Sequence, residues 1–354
     1  MNLELTDEQL ALRDTVRRFL TEKASVTTHV RPMLDDQTGS TREVWSGLTA
    51  LGATGVLVPQ EHGGLGLTMV EAGVVAEELG AALYPGPWLS SAVAATRALT
   101  RTGSEAGSLL AGIADGSTIV TVGALSGERP EVENGILRGK ISALPDAVAA
   151  DVVLVLADDS GDTGLFTVDA ISAGVSVMER THVDPTRKLF DVTFDDVAAP
   201  RLASPSADDI QALIDDVLIA YAADALGAAT AVMNMAVEYA KVRRQFDQPI
   251  GSFQAVQHLC VDMYETVELA RSGVLHALWA ADAAPPAERH LAAVRAKAFA
   301  GQLATVADTA IQVFGGIGYT WEHDAHLYLK RLLGWSTFLG GSDRYLQEVG
   351  KALL

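Results

Sequence analysis

Apolar residues recur at helical spacing through the first third of the chain. After a capping box at residues 6–9 (TDEQ), this spacing is found at Leu12, Val16, Phe19 and Leu20. It returns in residues 68–79 and 90–99, which the breaker YPGP at residues 84–87 separates. The pattern predicts a helical N-terminal domain over residues 1–114.

Short β-branched runs replace the helical pattern from residue 115 onward. Gly and Asp clusters separate these runs, which are residues 119–122, 135–137, 152–156, 165–168 and 175–177. Phe190, Val192 and Phe194 then alternate with polar residues, as in a strand with one wet face. No helix-length segment lies between the runs, so the sequence predicts a small antiparallel sheet or barrel over residues 115–204.

Helical spacing resumes in residues 205–354. Ser206 begins another cap, and one long alanine-rich helix extends from it to Val242. Two further apolar seams follow, at Phe253, Val256, Cys260, Met263, Val267, Ala270 and Val274 and at Phe299, Leu303, Val306, Ala310 and Val313. We therefore expect a C-terminal bundle of about four helices, and an α+β fold ordered as helices, antiparallel sheet and helical bundle.

Composition and charge exclude several classes of function. The formal net charge of −19 leaves no clustered positive field for a nucleic-acid backbone, so no nucleic-acid partner is expected. Neither a membrane-spanning run nor a secretory signal is recognisable, which predicts a cytoplasmic protein. Cys260, the only cysteine, occupies a seam position and is interpreted as a buried hydrophobe. His323 and His326 are too few to form a zinc site, so no metal is expected.

Residues 243–250 (RRQFDQPI) interrupt the helical pattern with cations, amides, an aromatic ring and a proline. Taken alone, Arg243 and Arg244 also fit a solvated helix end, where cations are favourable, and residues 315–318 also fit an ordinary helix cap. What surrounds these segments favours a functional interpretation.

Two segments resemble the C-terminal signatures of the acyl-CoA dehydrogenase family. They are residues 239–254 (YAKVRRQFDQPIGSFQ) and 312–319 (QVFGGIGY). Residues 57–66 (LVPQEHGGLG) resemble the family's N-terminal Pro-Glu-x-x-Gly-Gly-x-Gly segment, and residues 186–197 resemble the strand before its last domain. The resemblance covers most of the chain, and the family's helix–sheet–helix order agrees with the order predicted from periodicity.

The resemblance implies FAD, an acyl-CoA thioester substrate and oxidation of its Cα–Cβ bond with hydride passing to the flavin. An electron-transfer flavoprotein is the implied electron acceptor. By the family pattern Arg243 would contact the FAD pyrophosphate, for which a guanidinium fork is a natural partner. Phe246 would pack near the ADP part, and Gln245 would bond to it.

Gln312, Gly315 and Gly316 match the family's second contact with the cofactor. Glycines at such a position let backbone amides approach the ADP part closely. In the family these two motifs reach the flavin of a neighbouring subunit, so the resemblance also implies an oligomer.

The glutamate that serves the family as general base is missing. Counted from the second signature, its position holds Leu339, and anchoring on the glycine pair makes it Gly340. The family's alternative base position, counted back from the first signature, holds Val217. None of these residues can accept a proton. Asp216 is a weak candidate, because a shift by one residue turns a helical side chain through about 100°, and a solvated surface acid is its more ordinary interpretation.

The runs of the sheet that would contact the flavin ring also depart from the family. Residues 124–131 (ALSGERPE) replace its Thr-Glu-Pro and Gly-Ser-Asp run, and residues 142–145 (SALP) replace its Trp-Ile-Thr. These losses resemble the shorter subunit of α2β2 acyl-CoA dehydrogenases of sterol side-chain degradation, whose homologous partner supplies the base. We expect such a subunit, with a sterol side chain or another bulky acyl group as substrate. Two alternatives stay open: a self-sufficient homo-oligomer with an atypical base, and a non-catalytic structural subunit.

Overall fold

The computed structural model describes residues 4–104 and 106–354. Helices come first, strands follow, and a second set of helices ends the chain, which confirms the predicted α+β order. The N-terminal helices are α1 (Asp7–Lys23), α2 (Arg42–Ala50), α3 (Met69–Ala81), α4 (Thr96–Arg101) and α5 (Gly107–Ala114).

The start of α1 follows from its capping box. The Thr6 hydroxyl accepts from the Gln9 backbone N–H, and the Gln9 side chain accepts from the Thr6 N–H. The helix predicted over residues 90–99 is different in detail, since a π-helical turn at Leu89–Ala95 precedes α4. Such wide turns are frequent at functional sites. This one carries Ser90 toward the sheet, where Ser90 bonds to Asp146.

The middle of the chain forms one eight-stranded sheet in the order β6-β7-β3-β2-β4-β5-β8, with β1 paired to β4. Its strands are β1 (Val120–Gly123), β2 (Glu131–Glu133), β3 (Ile136–Pro145), β4 (Val152–Asp159), β5 (Asp162–Asp169), β6 (Val175–Glu179), β7 (Leu189–Ala198) and β8 (Arg201–Ala203). The prediction of a purely antiparallel sheet was wrong, because β1 and β2 both pair with β4 in parallel. The chain between β1 and β4 carries β2 and β3, and this hairpin is long enough to act as the crossover.

The C-terminal helices are α6 (Ala207–Val242), α7 (Gln254–Ala283), α8 (Pro286–Ala300), α9 (Leu303–Phe314), α10 (Ala325–Thr337) and α11 (Ser342–Leu353). Helices α6 to α9 pack against one another as a four-helix bundle, with α10 against α6 and α9 and α11 against α8. By length and composition α6 could cross a membrane, but 83% of its most apolar window is buried inside the fold. It is the central helix of the core.

Helix α6 also joins the N-terminal helices to the bundle by a close crossing with α3. A Cβ at Gly80 would lie 1.9 Å from the Asp224 carbonyl oxygen, and one at Gly227 would lie 1.8 Å from the Glu77 carbonyl oxygen. Only glycine permits backbones to approach this closely. The crossing fixes α6 against the helix that ends shortly before the π-helical turn.

Two details of the predicted seams were wrong. Phe299 belongs to the end of α8 and is half-exposed, because the chain breaks at Gly301 before α9 begins. Cys260 is only partly buried, since the first turns of α7 extend beyond the helices that cover Met263 and Val267.

Candidate functional site

The interruption at residues 243–250 is a two-residue β-hairpin between α6 and α7. Two short strands, β9 (Arg244–Gln245) and β10 (Gln248–Pro249), pair antiparallel. Phe246 and Asp247 between them have φ values of 52° and 64°. Positive φ at both central residues is the geometry of a type I′ turn, which usually selects Asn or Gly. A phenylalanine is strained there, so the turn holds the ring at some conformational cost.

The side chains of this hairpin are presented to the outside rather than packed. The Phe246 side chain is 86% exposed and touches only the edge of Phe253, with the ring centroids 6.1 Å apart. Arg243 is exposed, and its guanidinium has no hydrogen bond or ion pair with any described residue. The Gln245 amide donates to the Arg244 carbonyl oxygen at 2.9 Å. An aromatic ring and a free guanidinium therefore stand side by side on the surface of a single chain.

The second predicted contact lies at the same end of the bundle. Helix α9 ends at Phe314, whose ring is 5.2 Å from that of Tyr239 in the last turn of α6. Gly315 turns the chain with φ 65° and ψ −145°, and no atom lies within 4 Å of a Cβ built on it or on Gly316. Gln312 is exposed on the last turn of α9. Folding thus brings the two signatures, far apart in sequence, to one surface with open space before the glycines.

A cavity of about 490 Å³ lies between the sheet and the bundle. We call it the front cavity, and its defining residues are Ser90, Val122, Ala143, Val217, Tyr221 and Leu339. It contains both positions at which the family's base was expected, Val217 on α6 and Leu339 after α10. No described residue that lines it carries a carboxylate. Gly340 does not line it; a Cβ there would face Arg344 and Tyr345.

Strained backbone is concentrated at this cavity. Ala124, Ala143 and Leu339 line it with φ values of 61°, 56° and 53°, and neighbouring Asp146 has φ 55°. Non-glycine residues adopt this region rarely, and clusters of them mark sites whose surroundings hold a required shape. The cavity keeps a defined shape although it has no acid.

Asp216 lies outside the front cavity and is not the solvated acid that the sequence suggested. Its side chain is fully buried and accepts from Arg101 at 2.9 Å, with Arg97 at 3.5 Å. Burial raises the pKa of Asp216, and the two guanidinium groups oppose that rise. Both oxygens of the carboxylate face this structural ion pair, so Asp216 faces α4 rather than the cavity.

A second cavity of about 500 Å³ adjoins the first, and we call it the rear cavity. Its defining residues are Asp146, Arg187, Leu189, Tyr221, Arg331 and Trp335. Arg331, 2% exposed, bonds the Asp224 carboxylate at 3.0 and 3.1 Å and lies 3.2 Å from Asp184. Arg187 approaches Asp224 at 2.7 Å. Sequence reasoning missed this network, although Arg331 occupies the buried face of α10 together with Tyr328 and Trp335.

His290 was also missed, and it connects three helices. Its Nδ1 is 2.8 Å from Asp215 on α6 and its Nε2 is 2.8 Å from Glu348 on α11. Hydrogen bonding to Asp215 raises the pKa of His290 to about 9, with Glu348 adding to the rise. A doubly donating imidazolium therefore joins α6, α8 and α11 beside Leu339.

Comparisons with known proteins agree with this arrangement. Residues 6–116 match the family model for the acyl-CoA dehydrogenase N-terminal domain, and residues 212–354 match that for the C-terminal domain. The acyl-CoA dehydrogenase IpdE2 of Mycobacterium tuberculosis is 34% identical over 97% of this chain and 96% of its own. The acyl-CoA dehydrogenase FadE34 of the same organism is 34% identical over 98% of this chain. The chain spans about half of that protein, 48% of its length.

Solved structures give the same result. The ChsE4–ChsE5 complex of Mycobacterium tuberculosis superposes with a TM-score of 0.90 at 26% identity, over 100% of this chain and 99% of that one. The steroid acyl-CoA dehydrogenase Tcur3481–Tcur3483, a G363A variant, superposes with a TM-score of 0.89 at 28% identity, over 98% of each chain. By fold, by its two domain matches and by relatives aligned along nearly its whole length, this chain belongs to the acyl-CoA dehydrogenase family of FAD-dependent oxidoreductases.

Proposed function

We propose that this chain is a subunit of an FAD-dependent acyl-CoA dehydrogenase in which a homologous partner supplies the base. The chain contributes the ADP-binding end of the flavin site, and the complex oxidises the Cα–Cβ bond of an acyl-CoA thioester. The observation that carries the proposal is a contrast. The groups suited to ADP are present and exposed, whereas the cavity with both base positions has no acid.

The exposed groups fit the chemistry of the cofactor's ADP end. Arg243 offers a bidentate, permanently charged fork for the pyrophosphate and has no competing partner among the described residues. Phe246 offers a flat apolar face, and Gln245 beside it offers an amide. We assign these three residues, with the second set below, to cofactor binding.

Gln312, Gly315 and Gly316 form the second set. Space is open in front of both glycines, so a ligand can approach their backbone amides closely. Bound FAD would supply the hydride acceptor, and these residues would hold its distal end. Because they stand on a convex surface of one chain, we propose that the flavin ring lies against another subunit.

The front cavity gives the reason for assigning the base to a partner. Proton abstraction from Cα needs a group that can accept a proton within hydrogen-bond reach. Val217 and Leu339 are hydrocarbon, and Asp216 is held by Arg97 and Arg101. This geometry supports the heteromeric subunit over a self-sufficient enzyme that uses Asp216.

The relatives' names support the finer parts of the proposal. One similar structure is a complex of two differently named proteins, and another is called a steroid acyl-CoA dehydrogenase. We therefore propose a sterol side chain or another bulky acyl group as substrate, a homologous subunit as partner and an electron-transfer flavoprotein as acceptor. A cytoplasmic location and the division of the chain at residues 114/115 and 204/205 are part of the same proposal.

Flavin stoichiometry tests the proposal. The chain purified alone is expected to carry little flavin and to show negligible dehydrogenase activity, whereas co-expression with a homologous subunit restores both. In that complex Arg243→Ala should weaken flavin retention by about tenfold or more, since it removes a charge-assisted contact of roughly 1.5–3 kcal/mol. Arg18→Ala is the matched control, because Arg18 is equally exposed on α1.

Two results would sink the proposal. A yellow, active homo-oligomer of this chain would show that no partner base is needed. Unchanged flavin retention in Arg243→Ala would instead identify the chain as a structural subunit that does not hold the cofactor.

A further inference from the structure

The front and rear cavities share one wall. Tyr221 and Phe338 stack with ring centroids 4.1 Å apart and planes 13° apart, and both residues line both cavities together with Pro145. The walls around this stack are largely apolar, with Leu189 and Trp335 on the rear side. Polar atoms at the shared wall are therefore few, and each of them can decide what the cavities accept.

Asp146 is the carboxylate at this wall. It is 6% exposed, and its Oδ2 accepts a hydrogen bond of 2.5 Å from the hydroxyl of Ser90, which lines the front cavity. Its Oδ1 has no hydrogen-bond partner among the described residues, while the residue itself lines the rear cavity. The backbone is held in place, because the Asp146 N–H donates to the Lys188 carbonyl oxygen at 2.8 Å.

The nearby cations are committed elsewhere. Arg331 bonds Asp224, Arg187 pairs with Asp224 and the Lys188 ammonium donates to the Leu34 carbonyl oxygen at 2.8 Å. Asp146 feels these charges at a distance but forms no ion pair. It is thus a nearly buried acceptor with spare capacity, which is costly unless something donates to it.

Tyr221 supplies a second uncommitted group. Its hydroxyl makes no hydrogen bond to any described residue, and the Arg187 guanidinium lies over its ring at 5.2 Å. Tyr221 is one helical turn beyond Val217 on the same face of α6, so it points into the space that the base would have faced.

We propose that Ser90, Asp146 and Tyr221 bind a hydroxyl group carried by the acyl part of the substrate. This inference rests on the proposed acyl-CoA substrate and names its class, an alicyclic or otherwise bulky acyl group with an alcohol on it. The alcohol donates to Asp146 and accepts from Tyr221, and the apolar walls enclose the carbon skeleton. Burial raises the pKa of Asp146 to about 6, so the group is ionised and acceptor-only at neutral pH.

A substrate without the hydroxyl leaves Asp146 buried and unpaired. Sites built to bond a hydroxyl discriminate strongly against its absence, because the site's own polar groups then lose their partner. A hydrogen bond to a charged group contributes about 1.5–3 kcal/mol, so we expect a preference of roughly 10- to 150-fold for the hydroxylated acyl group.

The test uses two matched thioesters, cyclohexanecarboxyl-CoA and 4-hydroxycyclohexanecarboxyl-CoA. Their affinities for the purified full chain are measured by calorimetry, for the natural sequence, for Asp146→Asn and for Ser90→Ala. Asp195→Asn is the control, because Asp195 lies exposed on β7 of the same sheet. Thermal unfolding of each variant shows that it is folded.

The natural sequence and Asp195→Asn should prefer the hydroxylated thioester at least tenfold, and Asp146→Asn should lose most of that preference. Equal affinity of the natural sequence for the two thioesters overturns the inference, as does a preference that survives Asp146→Asn. If neither thioester binds while the co-expressed complex retains flavin, the inference fails and the ADP-end proposal stands. If thioesters bind as expected but Arg243→Ala keeps its flavin, the ADP-end proposal fails and the hydroxyl site stands.

Discussion

Lys297 is a buried amine without an ion pair, and its replacement should stabilise the protein in a pH-dependent way. The residue lies on α8 and is fully buried. Its Nζ donates to the Trp335 carbonyl oxygen at 2.5 Å and lies 3.6 Å from the centroid of the Trp335 ring. Burial lowers the pKa of Lys297 from 10.5 to about 7. No described carboxylate opposes this effect.

The sign and size follow from linkage. The unfolded chain holds the proton up to pH 10.5, whereas the folded chain releases it near pH 7. The destabilisation is therefore complete below pH 7 and disappears as the pH rises from 7 to 10.5. The difference of 10.5 − 7 = 3.5 pH units corresponds to roughly 5 kcal/mol at 1.36 kcal/mol per unit.

Lys297→Met keeps the chain length of the side chain and removes the charge. It also loses the hydrogen bond to Trp335, which costs about 1 kcal/mol. At pH 6 we expect the variant to be more stable by on the order of 2–4 kcal/mol in free energy of unfolding, measured by urea titration. That advantage should shrink by roughly 3 kcal/mol at pH 9.5, because the lysine is then largely neutral in the unfolded chain as well.

The control is Lys241→Met, since Lys241 is exposed and paired only with Glu238 at the end of α6. Its effect on stability should be small and independent of pH. A stability difference for Lys297→Met that stays constant between pH 6 and pH 9.5 would refute the reasoning. So would a variant less stable than the natural sequence at pH 6, because the buried amine would then be stabilising.

Three further variants address other parts of the molecule. Arg331→Met should lower the free energy of unfolding by about 3–5 kcal/mol, because it leaves two buried carboxylates uncompensated. Phe246→Asn should raise hairpin stability by roughly 1 kcal/mol, since Asn adopts positive φ readily, while flavin retention in the complex falls. The natural sequence should lose stability as the pH rises through about 9, where His290 gives up its proton, and His290→Gln should not.

Each of these expectations has a contrary outcome. Arg331→Met with unchanged stability would mean that the carboxylates protonate at no cost. Phe246→Asn with unchanged flavin content would remove Phe246 from the cofactor site. For His290 the raised pKa places the stabilising contribution below pH 6.5 and its loss at pH 9, so a variant that loses stability in parallel with the natural sequence would contradict it.

The order of helices and strands could be predicted from periodicity because burial alone determines it. Helix α6 was recognised from its cap at Ser206 to its end at Val242, since both ends carry local signals. The parallel pairing of β1 with β4 carries no local signal, because it depends on where the β2–β3 hairpin returns the chain. Strand neighbours of this kind are a property of the whole sheet.

The candidate site divides in the same way. The ADP-end residues were found because they occur in contiguous segments. Asp146 was not, because an aspartate after Leu144-Pro145 also fits an ordinary turn, and its partner Ser90 lies in a separate helical segment. Arg331 could have been noticed, since its spacing with Tyr328 and Trp335 places a charge on the buried face of α10. A buried cation implies buried carboxylates, but nothing in the sequence says which ones.

The two halves of the candidate site differ in what they cost a solitary chain, and this difference argues for a partner. A carboxylate at Val217 or Leu339 would be buried without a cation, so hydrocarbon there stabilises the lone fold. Phe246 does the opposite, because it is strained, exposed and unfavourable until something covers it. A chain that served only its own stability would keep the first feature and lose the second. Keeping both is expected when the exposed hairpin binds a cofactor completed by another subunit, and Phe246→Asn separates these two demands in one variant.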